Sequence, residues 1–290
     1  MYININKALE NIYGEVDNKV NSLIEKGIQP KAVIIRVDGD PASEIYIRSK
    51  VNACKNHNID SEVITLPNDV TMDKLLNTIE ELNIDDTVHG FMLQLPIPEH
   101  LDSEVAINKI APSKDIDCLT KANLGNLFNG DTSLAPCTPA GIISILESNN
   151  IEIEGKDVLI INRSMLVGIP LARLLTCKNA TVTIAHSKTK NLRDKIFNAD
   201  IIITAVSKKE FFDRYLLSKM DVNCTSYDKE NRYIIDVSTN RMEDGRQCGD
   251  VIRDEDFINS LIRTHVTPVP KGVGLTTVAS LLKNTIDLIK

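Results

Sequence analysis

The sequence predicts an α/β protein with parallel strands, built as two domains, and three observations carry that expectation. Apolar runs alternate with helical patterns almost from end to end, the pattern of parallel strands joined by helices. A chain of 290 residues has the length of two ordinary domains. The alternation also breaks around residues 96–140, where "PIPEH", "APSKDIDC" and "APCTPAG" concentrate prolines, and then resumes as a second series.

In the first series "KAVIIRV" (31–37), "SEVITL" (61–66) and "VHGFMLQL" (88–95) read as strands, with helices over 41–57 and 71–83. Asp40 followed by Pro41 is a good helix start, a capping carboxylate before a proline in the first turn. The proline-dense stretch marks loops, where sites are usually built on a rigid scaffold. In the second series "KDVLIIN" (156–162), "ATVTIA" (180–185), "ADIIITAV" (199–206) and "RYIIDVS" (232–238) read as strands, with helices over 165–177 and 189–198. The last segment places Val278, Leu281, Leu282, Ile286 and Ile289 at helical spacing. Residues 1–140 are thus expected to form an N-terminal α/β catalytic domain, completed by a C-terminal helix over 271–290 that packs back on it. Residues 141–270 are expected to form a Rossmann-type dinucleotide-binding domain.

Composition excludes several function classes. A net charge of −7 and a pI near 5.3 argue against nucleic acid or an anionic membrane as the main partner. No apolar run approaches the roughly 18 residues of a membrane span. The opening "MYININKALENIYGEV" has no basic region followed by an apolar one and contains Glu10 and Glu15, so it does not read as a targeting peptide. Six cysteines (54, 118, 137, 177, 224 and 248) are scattered without a C-x-x-C pair or a nearby histidine cluster. That spacing fits neither a zinc site nor a disulfide framework. It suits a reducing cytoplasm, with each thiol a small core residue and no metal site.

A strand ending at Asn162, the loop "NRSMLVG" and a helix from Gly168 form the arrangement that offers backbone N–H groups to a pyrophosphate. Only Gly168 of the three glycines in G-x-G-x-x-G is present, so a plain strand–loop–helix corner stays open. The next strand ends in "AHSKT" (185–189), where an NAD site would usually place an acidic residue. Ser187 and Lys188 stand there instead, and Arg163 adds positive charge. Together they favour NADP, with ordinary solvated turn residues as the alternative.

In the first half, Tyr46 and Lys50 lie at i, i+4 and share a helix face. Gln94 ends an apolar strand at the carboxyl edge where open α/β sheets place ligands. "KDID" (114–117) lies in a proline-bounded loop, and "TPVPKGVG" (267–274) gives rigid extended backbone before the last helix. Singly, each has a plain reading. Tyr46 could be a core tyrosine, Lys50 a snorkelling surface lysine, Gln94 a strand cap, and Asp117 the cap of a helix from about Lys121. Y-x-x-x-K is also the active-site pair of short-chain dehydrogenases. Their glycine-rich loop lies upstream, whereas the nucleotide corner here follows Lys50 by more than 110 residues, so that reading is rejected.

Taken together, the blocks resemble one family: the bifunctional methylenetetrahydrofolate dehydrogenase/methenyltetrahydrofolate cyclohydrolases. The resemblance runs in order through "DGDPASEIYIRSKVNAC", "GFMLQLPIPEHLD", "PSKDID", "PCTPAGI", "RSMLVGIPLARLL", "NATVTIAHSKT", "ADIIITAV", "IIDVSTNR" and "TPVPKGVGLTTVASLLKNT", nearly the whole chain. It implies a cleft between the two domains in which Lys50 is catalytic and Tyr46 lies against the folate rings. Gln94 would orient Lys50, Asp117 would hold the pterin nitrogens, and Pro268, Val269, Pro270 and Gly272 would line the folate site. Arg163, Ser164 and Ser187 match NADP-contacting positions, and Gly168 to Pro170 the helix start. The implied reactions are oxidation of 5,10-methylene-tetrahydrofolate with NADP and hydrolysis of the methenyl product to 10-formyl-tetrahydrofolate, by a homodimer. Hydrolysis needs a group that moves protons, and general acid–base catalysis of this kind is worth roughly 10²–10⁴-fold.

The chain departs from the family where glycines are usual. On the cofactor side Asn162, Ser207 and Ser238 replace them; elsewhere Cys118 and Lys271 do, and Leu275-Thr276 stand for Pro-Met. Glycine at such positions permits close backbone approach or a positive φ. Tyr46, Lys50, Gln94 and Asp117 are all retained. Three readings stay open at this point: the two-activity enzyme, a cyclohydrolase with a weakened or lost dehydrogenase, and a silent folate- or nucleotide-binding paralogue. Retention of Lys50 with Gln94 argues against the last, since mere binding needs no proton-shuttling amine.

Overall fold

A computed structural model describes residues 1–223, 231–242 and 246–289. Cys224 lies outside the described residues. The chain divides into two compact units, one of Glu10–Cys137 with Val278–Lys290 and one of Met1–Leu9 with Thr138–Thr277. The first nine residues therefore belong with the later part of the chain, where the sequence reading had left them in the first domain. The reason is a backbone pairing: Tyr2 bridges Val266, and the Ile3 N–H donates to the Val266 carbonyl at 2.9 Å.

In the unit of Glu10–Cys137, helix α1 (Asn6–Glu25) leads into β1 (Lys31–Val37), α2 (Pro41–Asn56), β2 (Asp60–Leu66), α3 (Met72–Ile84) and β3 (Gly90–Leu93). The strands are parallel, in the order β2-β1-β3. Three short helices follow: α4 (Ser103–Lys109), α5 (Lys121–Phe128) and α6 (Cys137–Ser148), the last continuing into the other unit. The proline-dense stretch thus holds short helices as well as loops. Side chains cap two of them at their starts: Asp102 accepts from the Glu104 and Val105 N–H groups, and Thr120 from that of Asn123. The core runs through Val33, Ile35 and Val37 of β1, Phe91 and Leu93 of β3, and Leu75, Ile79 and Leu82 of α3.

The other unit contains β4 (Asp157–Ile161), α7 (Gly168–Cys177), β5 (Thr181–Ala185), α8 (Leu192–Asn198), β6 (Ile201–Thr204), α9 (Arg214–Asn223) and β7 (Arg232–Asp236). A small antiparallel pair, β8 (Asn240–Arg241) with β9 (Gln247–Cys248), precedes α10 (Glu255–Ser260), β10 (Thr264–Val266) and α11 (Val273–Asp287). The main sheet is parallel in the order β10-β7-β6-β4-β5. Read from β4 this is the doubly wound order 2-1-3-4-5, whose reversal lies between β4 and β6. Strand ends fall short of the sequence reading: the runs at 88–95 and 199–206 pair only over Gly90–Leu93 and Ile201–Thr204. Their apolar character continues past the last ladder bond into the loops that carry the sites.

From Val278 onward α11 belongs to the unit of Glu10–Cys137, in keeping with the expected closing helix. Val278, Leu281, Leu282 and Ile286 are buried. The Asn284 carboxamide donates to the Ile116 and Ala135 carbonyls, both at 2.9 Å. No helix among the described residues is long and apolar enough to cross a membrane.

Candidate active site

In the unit of Glu10–Cys137, α2 starts where Asp40 accepts the Ser43 N–H at 3.1 Å, as the sequence suggested. Tyr46 and Lys50 lie four positions apart on α2, and the structure decides against the plain reading of each. Tyr46 is 40% exposed and so no core residue, while Lys50 is only 8% exposed and so no snorkelling surface lysine. The Lys50 amine donates to Gln94 Oε1 at 2.9 Å and to Met92 Sδ at 3.2 Å. Met92 lies on β3 and Gln94 immediately follows it, with the Gln94 N–H still held by the Ile35 carbonyl of β1 at 2.8 Å. Gln94 Nε2 donates to the Leu95 carbonyl at 2.7 Å, which leaves the oxygen facing the amine. A buried amine is thus anchored by a neutral acceptor and a thioether. Cys54, one turn further along α2, is a core thiol, its pKa pushed up to about 12 by burial.

The 114–117 loop brings two carboxylates with different tasks. Asp115 is buried and accepts from Thr120 N at 2.8 Å, Asn123 Nδ2 at 3.0 Å and Leu119 N at 3.3 Å. With Thr120 it organises the start of α5, so Asp117 is not that helix's cap. Asp117 is half-buried instead, and burial pushes its carboxyl above the usual range. The Lys50 ammonium and a hydrogen bond from the Cys137 thiol pull it back, and Asp115 adds to the rise. Lys50 and Asp117 therefore act on each other within one unit. Gly90 lets this loop approach β3: a Cβ there would strike the Ile116 side chain. Sequence reading missed Met92, Cys137 and Asn284 as parts of this corner. All three stood in quoted blocks, but nothing local marks a residue as the partner of one that lies far away along the chain.

In the other unit, β4 and β5 pair in register up to Ile161 and Ala185, so the loops that follow start side by side. Arg163, Ser187 and Lys188 are exposed on those loops, and Ser164 is half-buried. Cations and hydroxyls without a carboxylate at the end of β5 fit a phosphate-bearing dinucleotide such as NADP. Gly168, at the start of α7, touches the strand so closely that a Cβ would strike the Asn162 carbonyl. Pro170 is buried in the first turn of α7.

The residues standing where glycines were expected fall into two groups. Ser207, Cys118 and Lys271 keep a left-handed backbone, with φ of 54°, 56° and 71°. Asn162 and Ser238 do not, and act through their side chains. Ser238 Oγ donates to Asp250 Oδ2 at 2.8 Å and accepts the Ser207 N–H at 3.0 Å. Asp250, fully buried and unforeseen from the sequence, also accepts from Thr204 Oγ1 and from the Val206 and Lys208 N–H groups, at 2.7, 2.9 and 2.8 Å. It ties the loops after β6 and β7 together. Pro268, Val269, Pro270 and Gly272 follow β10 in this unit, the prolines and Val269 at least partly exposed and Gly272 buried beneath the Pro268 carbonyl. The four residues Tyr46, Lys50, Gln94 and Asp117 thus share one unit, and the other predicted site residues share the second. Among the described residues no cluster of three or more His, Cys, Asp or Glu side chains could hold a metal ion.

Comparison with known proteins also divides the chain in two. Residues 3–117 match the catalytic-domain model of tetrahydrofolate dehydrogenase/cyclohydrolase, and residues 136–290 match the NAD(P)-binding-domain model of the same proteins. The bifunctional protein FolD of Bacillus cytotoxicus is 40% identical over 286 residues, 98% of this chain and 95% of that one. Its counterpart in Ligilactobacillus salivarius is 42% identical over 273 residues, 94% and 91% of the two chains. Among solved structures, the bifunctional FolD methylenetetrahydrofolate dehydrogenase/cyclohydrolase of Campylobacter jejuni superposes with a TM-score of 0.89 at 36% identity, covering 99% of this chain and 98% of that one. The Trypanosoma brucei enzyme, solved with NADP cofactor and inhibitor, gives 0.87 at 30% identity, covering 99% and 96%.

Proposed function

This chain belongs to the tetrahydrofolate dehydrogenase/cyclohydrolase family, and we propose on that premise that it has both activities. It oxidises 5,10-methylene-tetrahydrofolate to the 5,10-methenyl form with NADP, and hydrolyses the methenyl form to 10-formyl-tetrahydrofolate. The observation that carries the proposal is the buried Lys50 amine, fixed by Gln94 and Met92 in the same unit as the Asp117 carboxyl.

Arg163, Ser164, Ser187, Gly168 and Pro170, with the loops of Asn162, Ser207 and Ser238, form the NADP site. NADP bound there supplies the acceptor for the hydride that leaves the methylene carbon. The product is a cation whose carbon bridges N5 and N10. In the second reaction a water oxygen adds to that carbon, and one of its protons must leave as the C–O bond forms. Lys50 moves that proton. When the C–N5 bond then breaks, N5 takes up a proton, the formyl group stays on N10, and one proton is released overall. Gln94 holds the amine on station without adding a charge beside it.

Asp117 serves the pterin. A carboxylate is an acceptor only, and the amino and ring N–H groups of a pterin are donors that can offset its cost of burial. Tyr46, exposed on the face of α2 that bears Lys50, offers an aromatic surface to the folate rings. Pro268, Val269, Pro270 and Gly272 are assigned to the folate as well. The same reading makes the protein a cytoplasmic homodimer acting on folates, with no nucleic-acid partner. The net charge of −7 supports the absence of a nucleic-acid partner, the five free cysteines among the described residues support the cytoplasm, and the homodimer rests on the family resemblance.

Purified protein should oxidise methylene-tetrahydrofolate faster with NADP than with NAD and should hydrolyse methenyl-tetrahydrofolate. Turnover of neither folate would overturn the proposal. Preference for NAD would overturn its cofactor assignment alone.

A further inference from the structure

The start of α7 can be accounted for donor by donor. Gly168 N–H donates to Asn162 Oδ1 at 3.2 Å, and Ile169 N–H to the Ser164 carbonyl at 3.1 Å. Pro170 has no N–H, and Leu171 N–H already closes on the Val167 carbonyl at 3.0 Å. Val167 N–H goes to Ser164 Oγ at 3.1 Å. Ser164 in turn spends both its N–H and its hydroxyl on Asn162 Oδ1, each at 2.8 Å. One side-chain oxygen therefore receives three donors. Every N–H in the first turn of the helix is satisfied from within the protein, whereas a helix start that takes a pyrophosphate offers those groups outward.

The other end of the same carboxamide reaches across the sheet. Asn162 Nδ2 donates to the Ala205 carbonyl at 2.8 Å, joining the loop after β4 to the loop after β6. Those are the two strands between which the strand order reverses, the crevice where doubly wound sheets take their ligands. Asn162 thus satisfies the phosphate-binding donors and straps the crevice beside them. It is only half-buried and carries no charge, so water can replace its bonds when it swings out.

We propose that Asn162 sets the affinity for NADP by standing in for a cofactor phosphate, and that NADP binds by displacing its carboxamide from Ser164 and Gly168. The inference rests on the reading of this unit as the NADP site. Asn162 is a specificity- and affinity-setting residue here; it touches no reacting atom.

The test measures binding directly. NADPH is titrated by its own fluorescence, which a chain without tryptophan leaves free of indole background, and NADP by calorimetry. Wild type is compared with Asn162→Gly and Asn162→Asp, each checked for folding by thermal melting. Freeing three donors should tighten binding in Asn162→Gly roughly tenfold, since hydrogen bonds differ in net worth by about that much. Asn162→Asp places an anion where the phosphate must come and should weaken binding by about the same factor. If Asn162 only shaped the loop, its removal would loosen the site, and Asn162→Gly would bind as wild type does or more weakly; either result overturns the inference. Should the glycine variant not fold, the aspartate variant decides: unchanged affinity there overturns it. Wild type silent with Asn162→Gly binding NADPH supports the inference in its strongest form. Silence of all three folded proteins overturns the NADP site itself, and this inference with it.

Discussion

Gln94 follows β3 and Asn162 follows β4, each just beyond the carboxyl end of a parallel strand that borders the reversal of strand order in its own sheet. Both carry a carboxamide, and both use the NH₂ end on a nearby carbonyl, Leu95 in one case and Ala205 in the other. The oxygens part company. That of Gln94 accepts from a lysine amine on a neighbouring helix, so it aims a reactive group. That of Asn162 accepts from two backbone N–H groups and a hydroxyl of its own loop, so it closes that loop on itself. Position in the fold selects where a ligand can come. The partner of the polar group then decides whether that place is set for chemistry or sealed by the protein's own atoms.

The comparison breaks most visibly at the amine. Lys50→Ala should lower methenyl-tetrahydrofolate hydrolysis roughly 10²–10⁴-fold, read as kcat, with an unchanged circular dichroism spectrum. Near-normal hydrolysis would leave Gln94 aiming nothing. Next in size is Gln94→Leu, which keeps the bulk and removes the acceptor. A hydrogen bond to a charged group is worth about 1.5–3 kcal/mol, so the rate should fall roughly ten- to a hundredfold. A loss in KM alone would make Gln94 a substrate contact and not an orienting group.

Asp117 sharpens the comparison through pH. Its carboxyl is raised by burial, so it takes up a proton at a higher pH than an ordinary aspartate does. The neutral form has lost acceptor capacity for pterin N–H groups. The folate KM should therefore rise as pH falls, starting above the usual carboxylate range, and Asp117→Asn should show a raised KM without that dependence. The smallest effect belongs to backbone strain. Ser207 and Lys271 sit at φ of 54° and 71° without being glycine. Ser207→Gly and Lys271→Gly should each stabilise the fold by roughly 0.5–1 kcal/mol, moving Tm up by a few degrees in a denaturation scan. Asn162→Gly, at an ordinary φ, should bring no such gain.

The parallel sheets were legible because each core strand is a short apolar run between helical patterns, and β1 was read to its residue. The helices α4 and α5 were hidden by the prolines and cap residues around them, and α1, polar on much of its surface, gave no contrast against its surroundings. At the site, the spacing of Tyr46 and Lys50 and the strand-end place of Gln94 were visible locally. The depth of Lys50, its bond to Met92 and the fastening of the Ile116 carbonyl by Asn284 were not, because they join segments 42 and 168 positions apart. The sequence marked Asn162 only as a side chain standing where glycine is usual. That its oxygen collects three donors depends on how the 162–168 loop curls, which no residue type dictates.

The most direct test of the central claim, that the amine on Lys50 moves the protons of hydrolysis, is chemical rescue of Lys50→Ala. Methenyl-tetrahydrofolate hydrolysis by that variant should be slow, and should climb with the concentration of a small primary amine that fits the space the side chain left. The same amine should do nothing for wild type. A variant that hydrolyses at the wild-type rate with no amine added would contradict the account.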